Sequence, residues 1–202
     1  DAGWWHPYRN KLSPTFLDFV ALESEAEEIL SASPSGVPGL VQTLSYAQEI
    51  QEADPVESIR SDADMYVRVR LSRQQAILRT RNPAHLRCLI PEAVFHSASP
   101  SIGEQIGSIL SFMDRDNITI QVMPMAAPVG TQVDVYCTLM KFRSPWPSVM
   151  YASALGAGFL NDDVETTRIV EERFVAFEQA ALPVDRTREF LKERLRKIHH
   201  EG

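Results

Sequence analysis

The chain has 202 residues, 44% of them hydrophobic and 23% charged, with a formal net charge of −7 and two cysteines. This is the composition of an ordinary globular protein, long enough for one well-buried core. No apolar run approaches the ~20 residues that cross a bilayer, and a uniformly acidic chain is poorly suited to replacing the counterions of nucleic acid.

The opening residues, DAGWWHPYRN, have no secretion-signal pattern and no initiator Met, so the chain is expected to be a cytoplasmic piece of a longer protein. PTFLDFVALESEAEEIL (residues 14–30) predicts a first helix, capped by Ser13 with Pro14 in its first turn. Phe16, Phe19, Val20 and Glu23 share one of its faces. SASPSGVPG breaks it, a second helix covers 39–52, and ADP ends that one. A longer helix over 56–80 follows from Ile59, Ala63, Tyr66, Val67, Arg70, Leu71, Gln74 and Leu78 at helical spacing.

The period then changes. HLRCLI (85–90) reads as a short apolar strand, SIGEQIGSILSFMD (101–114) as an amphipathic helix with Ile102, Ile106, Ile109, Leu110 and Met113 inward, and NITIQVMP (117–124) as an alternating strand. Strand, helix, strand predicts two adjacent parallel strands with a crossover. VDVYCTLMKF (133–142) and SVMYASAL (148–155), joined by RSPWP, predict an antiparallel hairpin on the same sheet. Two helices close the chain. The first, 164–182, follows the acidic Asp162-Asp163 and turns Ile169, Val170, Phe174 and Phe177 inward. The second has Asp185 as N-cap and a stripe of Phe190, Leu191, Leu195 and Ile198. Its basic residues, Arg186 to Lys197, fit a solvated helix face or a docking surface. The fold class expected is α/β (α+β), one domain over 1–202. Its small mixed sheet would have about four to five strands, one parallel βαβ unit and a hairpin, packed by N- and C-terminal helices.

Catalytic signatures are absent: the sequence has no Gly-rich phosphate loop, no GxSxG, no HExxH and no Cys/His ligand cluster. Cys88 and Cys137 lie in apolar runs and read as buried thiols in a reducing compartment. No cofactor or metal is expected. Three polar groups interrupt apolar surfaces: Gln42-Thr43 at the start of the second helix, Arg70 and Gln74 with Arg73 beside them on the third, and Glu92 with His96 just past a strand. Ligand sites in open sheets favour strand C-terminal ends, so Glu92 is the leading carboxylate. It is expected within reach of Gln42, Arg70, Gln74 or His96, lining a concave pocket at that edge. The structural alternatives are a salt bridge from Glu92 to Arg70 or Arg73 and a capping role for Gln42.

WWHPY, VPGLVQTLSYA, RVRLSRQ, IPEAVFH, NITIQVMP and VMYAS occur in this order along most of the chain. The series resembles an uncharacterised actinobacterial domain usually found behind an XRE (lambda-repressor-like) helix-turn-helix. The resemblance implies the C-terminal sensing or effector half of a cytoplasmic transcriptional regulator, binding a small-molecule ligand or a small partner protein. DNA would be reached only through a helix-turn-helix that residues 1–13 cannot supply. Relatives commonly carry Arg near position 96 and Glu shortly after the strand Tyr; this chain has His96, and Ala152 and Ser153 after Tyr151. The expected ligand-binding residues are Gln42, Thr43, Arg70, Gln74, Glu92, His96 and Tyr151. The alternatives are an enzyme, a small-group transferase or hydrolase with Glu92 or His96 as acid/base, and a homodimerisation module built on Trp146 and the C-terminal helix.

Overall fold

The computed structural model describes residues 3–79, 81–154 and 157–201. Helix α1 spans Pro14–Glu25, and the Ser13 hydroxyl accepts from the Phe16 amide at 3.3 Å as the cap. The helix expected to reach residue 30 stops here. Ala26 is extended, and Glu28–Ala32 form strand β1. β1 lies at the centre of the sheet, with Ile29 and Leu30, on opposite faces, both fully buried. Burial on both faces removes the alternation that marks a strand, and Ala, Glu and Leu favour helix in isolation. Tertiary pairing overrides that preference.

Residues Gly39–Val41 make a single 3-10 turn before helix α2, Leu44–Glu52. The long helix expected over 56–80 is three pieces: α3 (Glu57–Ser61), α4 (Ala63–Arg73) and α5 (Gln75–Leu78). Strand β2 (His85–Pro91), helix α6 (Ile102–Phe112) and strand β3 (Ile118–Met123) follow. Leu86 pairs with Ile118 and Ile90 with Val122 in parallel register, so the predicted strand–helix–strand unit is present. Strands β4 (Tyr136–Lys141) and β5 (Val149–Ala154) form the predicted antiparallel hairpin.

A sixth strand, β6 (Ala157–Asn161), pairs antiparallel to β5 and makes the sheet larger than expected. Its glycine and its half-exposed pattern left no strand signature. Gly158 is required there: a Cβ at that position would lie 2.4 Å from the Tyr151 hydroxyl. The order is β3-β2-β1-β4-β5-β6, with β1, β2 and β3 parallel and the other half antiparallel.

Helix α7 (Val164–Ala180) starts at Asp163, whose carboxylate accepts from the Thr166 amide at 2.8 Å. Helix α8 (Val184–Glu201) begins one residue before Asp185, which therefore sits in its first turn and not at the cap. One face of the sheet packs against α1, α2, α5, α6 and α8 around Phe19, Ile29, Ile90, Phe95, Ile106 and Leu191. The other face packs Leu30, Leu89, Leu139 and Met150 against Phe174 of α7. Val170, Phe174 and Phe177 make the inward stripe of α7; Ile169, expected with them, is 41% exposed because it lies about 100° round the helix from Val170. Each fully buried aliphatic side chain contributes about 1.5–3 kcal/mol against exposure.

Candidate functional site

The site begins with a buried turn. Gly39, Leu40 and Val41 are all buried, and turn backbone removed from water must find hydrogen-bond partners. Three glutamines supply them. Gln42 Nε2 donates to the Val37 carbonyl at 2.6 Å, and Gln74 Nε2 donates to the Gln42 carbonyl at 2.6 Å. Gln105, on α6, donates to the Val41 carbonyl and accepts from the Thr43 amide, each at 2.8 Å. Thr43 caps α2 by accepting from the Tyr46 amide at 3.2 Å. The hydrogen-bonding residues at the start of α2 therefore fasten the Val-Pro-Gly corner to the segment between α4 and α5 and to α6.

Beneath the corner, α4 presents two arginines. Arg73 makes a bidentate pair with Glu23 of α1 at 2.7 and 2.8 Å, and both side chains are almost wholly buried. The Arg73 guanidinium also lies 4.8 Å from the Phe19 ring centroid, a cation–π distance. Burial works against its charge, but Glu23 outweighs burial and holds Arg73 above its ordinary value. Arg70 differs. Its Nη1 donates to Gln42 Oε1 at 2.8 Å, and no carboxylate among the described residues pairs with it. Burial, followed by the neighbouring Arg73 charge, pushes the Arg70 guanidinium down to about 10, so it is still charged at neutral pH. Glycine at 39 permits this packing: a Cβ there would sit 3.2 Å from Arg73 Nη1 and 3.7 Å from Arg70 Nε.

Arg70 opens into a cavity of about 410 Å³ beside the C-terminal end of β1. Phe16 and Phe19 of α1, Tyr136 of β4 and Tyr151 of β5 wall it, with Gln42 and Tyr46 from the corner. Phe19 and Tyr151 stack with centroids 4.0 Å apart and planes at 12°. Burial raises the Tyr46 and Tyr151 hydroxyls above their ordinary range, so both stay protonated donors. A void of about 240 Å³ adjoins it and shares Phe16, Arg70, Arg73 and Tyr151.

Glu92 is elsewhere. It opens a 3-10 turn, Glu92–His96, directly after β2. Its Oε2 accepts from the Met125 amide at 2.9 Å, and its Oε1 lies 3.4 Å from His96 Nε2. It lines a separate cavity of about 240 Å³ with Leu89, Met123 and Met125. Leu89 and Met123 belong to the core on the α7 face, whereas Phe19, Val37 and Tyr151 belong to the opposite core. The site read from sequence as one is therefore two. Gln42, Arg70 and Tyr151 share a cavity; Thr43 and Gln74 support its wall; Glu92 lies at the same edge of the sheet but on its other side, and His96 packs against Phe190 of α8. The salt bridge weighed for Glu92 with Arg70 or Arg73 is absent, because Glu92 lines a cavity on the other side of the sheet from both arginines.

Sequence reasoning missed Gln105 and Tyr136, and took Glu23 only as a position on a helix face. Gln105 interrupts the inward stripe of Ile102, Ile106 and Ile109, which is the signal that could have found it. Tyr136 shares a strand face with Thr138 and Met140 by alternation. Of the cysteines, Cys88 is buried in β2, and burial raises its thiol; Cys137 is pushed up to about 11 by burial and by Asp134. Neither is poised to react at neutral pH. Among the described residues no group of three His, Cys, Asp or Glu could hold a metal ion, and no helix is long and apolar enough to cross a membrane.

The family model described as a domain of unknown function (DUF5753) matches residues 16–193. Neither the curated proteins nor the solved structures include a match to the chain. The matched span includes all six strands, the clamped corner and both arginines, and by it the chain belongs to the DUF5753 family.

Proposed function

We propose that this chain is the sensing half of a helix-turn-helix transcriptional regulator and that it binds a small-molecule ligand in the cavity beside β1. The observation that carries the reading is the construction of that cavity. Its aromatic walls stand on the sheet and α1, and its polar groups are fixed by the glutamine clamp. A concave site with apolar walls and a few convergent polar groups held in place is the usual form of a ligand site. The acidic charge of the chain disfavours direct DNA contact, so DNA recognition is assigned to a separate segment of the natural protein.

Filling the cavity tests this. In the natural full-length protein, Ser153→Phe should fold and bind DNA but no longer change its DNA occupancy in response to the cell's ligand. A natural gene that encodes no DNA-binding segment, or a Ser153→Phe protein that responds like its parent, overturns the proposal. A catalytic reading, a transferase or hydrolase, draws only on the 3.4 Å approach of His96 Nε2 to Glu92. Undiminished function in Glu92→Gln sets it aside.

A further inference from the structure

We propose that the cavity beside β1 is an anion site, taking a small molecule that carries a carboxylate or phosphate oxyanion on a flat apolar body, with Arg70 receiving the oxyanion. This rests on the reading of that cavity as a ligand site and adds the ligand's chemical class.

Charge bookkeeping is the first support. Two charged side chains line the cavity, Arg70 and Arg73, and Glu23 stands behind Arg73. Glu23 and Arg73 cancel through two hydrogen bonds, and Arg70 is left over. Glu49 on α2 is already held by the Ser99 and Ser101 hydroxyls at 2.8 and 2.6 Å. The enclosure therefore carries one surplus positive charge. Taking a cation out of water without a counter-charge is costly, and an anionic occupant removes that cost.

Donor direction is the second. A guanidinium has five N–H donors in a fixed fork, and among the described residues Arg70 spends one, on Gln42 Oε1. No buried side-chain nitrogen among the described residues lacks a partner, so the Arg70 nitrogens without one keep some exposure, and Arg70 lines this cavity and the adjoining void. A planar fork of this kind matches a carboxylate or phosphate edge. Gln42 fixes its orientation, since the same amide is pinned through its nitrogen to Val37 and through its main-chain carbonyl to Gln74.

The walls supply the rest of the ligand's shape. The stacked Phe19–Tyr151 pair and the Tyr136 ring, edge-on at 74° to Tyr151, line the same cavity and offer aromatic surface to an apolar body. The Ser33 and Ser153 hydroxyls sit on the same lining.

Thermal unfolding of the whole chain with 2-naphthoate, 2-naphthyl phosphate and the neutral 2-naphthamide tests the assignment. At least one anion should raise Tm by about 3 °C once it exceeds its Kd about tenfold. The amide should leave Tm unchanged, and the stronger anion distinguishes a carboxylate ligand from a phosphate. Arg70→Gln should erase the shift, Arg70→Lys should keep part of it, and the exposed Arg143→Gln should keep all of it. Arg70→Met without ligand should unfold within about 3 °C of the parent, because removing an uncompensated cation offsets the Gln42 Oε1 left without its donor. If the amide matches the anions, or Arg70→Gln keeps the shift, the anion assignment falls while the ligand site stands. If none of the three probes shifts Tm, both fall. Arg70→Met unfolding well below the parent makes Arg70 structural and also overturns the assignment.

Discussion

On the face of the sheet covered by α7, the charged groups of β1, β2, β4 and α7 nearest Phe174 close on one another. Arg87 bonds Glu178 and Glu28, Lys141 bonds Glu28 and Glu171 at 2.9 and 2.7 Å, and Arg87 lies over the Phe174 ring. On the opposite face Glu23 and Arg73 close on each other, but Arg70, one helical turn away on α4, does not close on any acid. The first network reads as structure, since pairing is complete and the rim is half in water. The second is incomplete in a place where incompleteness is costly. Among the described residues every buried side-chain nitrogen and oxygen has a partner, and three glutamines are spent on one turn, so the unpaired Arg70 is the exception that the proposed anion would complete.

The comparison breaks first at its dry pair. Glu23→Gln leaves Arg73 buried without a counter-charge and should cost about 3–5 kcal/mol of stability, measured by denaturant unfolding. A loss under about 1 kcal/mol would mean that water reaches the pair. Next comes the clamp. Gln105→Ala orphans the Val41 carbonyl and the Thr43 amide and should cost about 2 kcal/mol or more, together with faster hydrogen exchange at residues 39–43. Unchanged exchange there would place the corner's rigidity elsewhere.

The α7 face gives a smaller and pH-dependent effect. Burial pushes the Glu28 carboxyl up, but Lys141 and Arg87 outweigh burial and hold it below its ordinary 4.5. A depressed carboxylate contributes stability that is fully present above the unfolded value and is lost as pH falls through the folded one. Glu28→Gln should therefore flatten the loss of stability below about pH 4.5. The change should be about 1 kcal/mol or less, because the group is partly exposed. Parallel acid limbs for variant and parent would contradict the assignment. Smallest of all, Glu92→Gln should cost no more than about 1 kcal/mol, since Glu92 holds only the Met125 amide and a distant His96. A loss near 3 kcal/mol would show a charge role that the geometry lacks.

What the sequence disclosed follows the same physics. The β2–α6–β3 unit was legible because Ile118, Ile120 and Val122 alternate and Ile102, Ile106 and Ile109 keep helical spacing. β1 was hidden because a central strand buried on both faces has no alternation to show, and β6 because an edge strand with a glycine has little to bury. Gln42 and Arg70 stood out as polar groups on apolar surfaces and Tyr151 entered with the resemblance, and the structure puts the three on one cavity. Glu92 stood out for the same reason and lies on the far side of the sheet. Without β1 in place, nothing in the sequence separates the two sides of that edge. Glu23 could not be told from a solvated helix residue, because its partner is 50 positions away.

The most direct test sets the two arginines of α4 against each other: denaturant unfolding of Arg73→Met and Arg70→Met beside the parent, without ligand. If Arg73 is structural and Arg70 is held ready for an anion, Arg73→Met strands Glu23 and should lose about 3–5 kcal/mol, while Arg70→Met should lose no more than about 1 kcal/mol, since the unpaired cation it removes offsets the Gln42 Oε1 it leaves without a donor. Equal losses in both variants would contradict the account, because Arg70 would then be holding the fold and not waiting for a ligand.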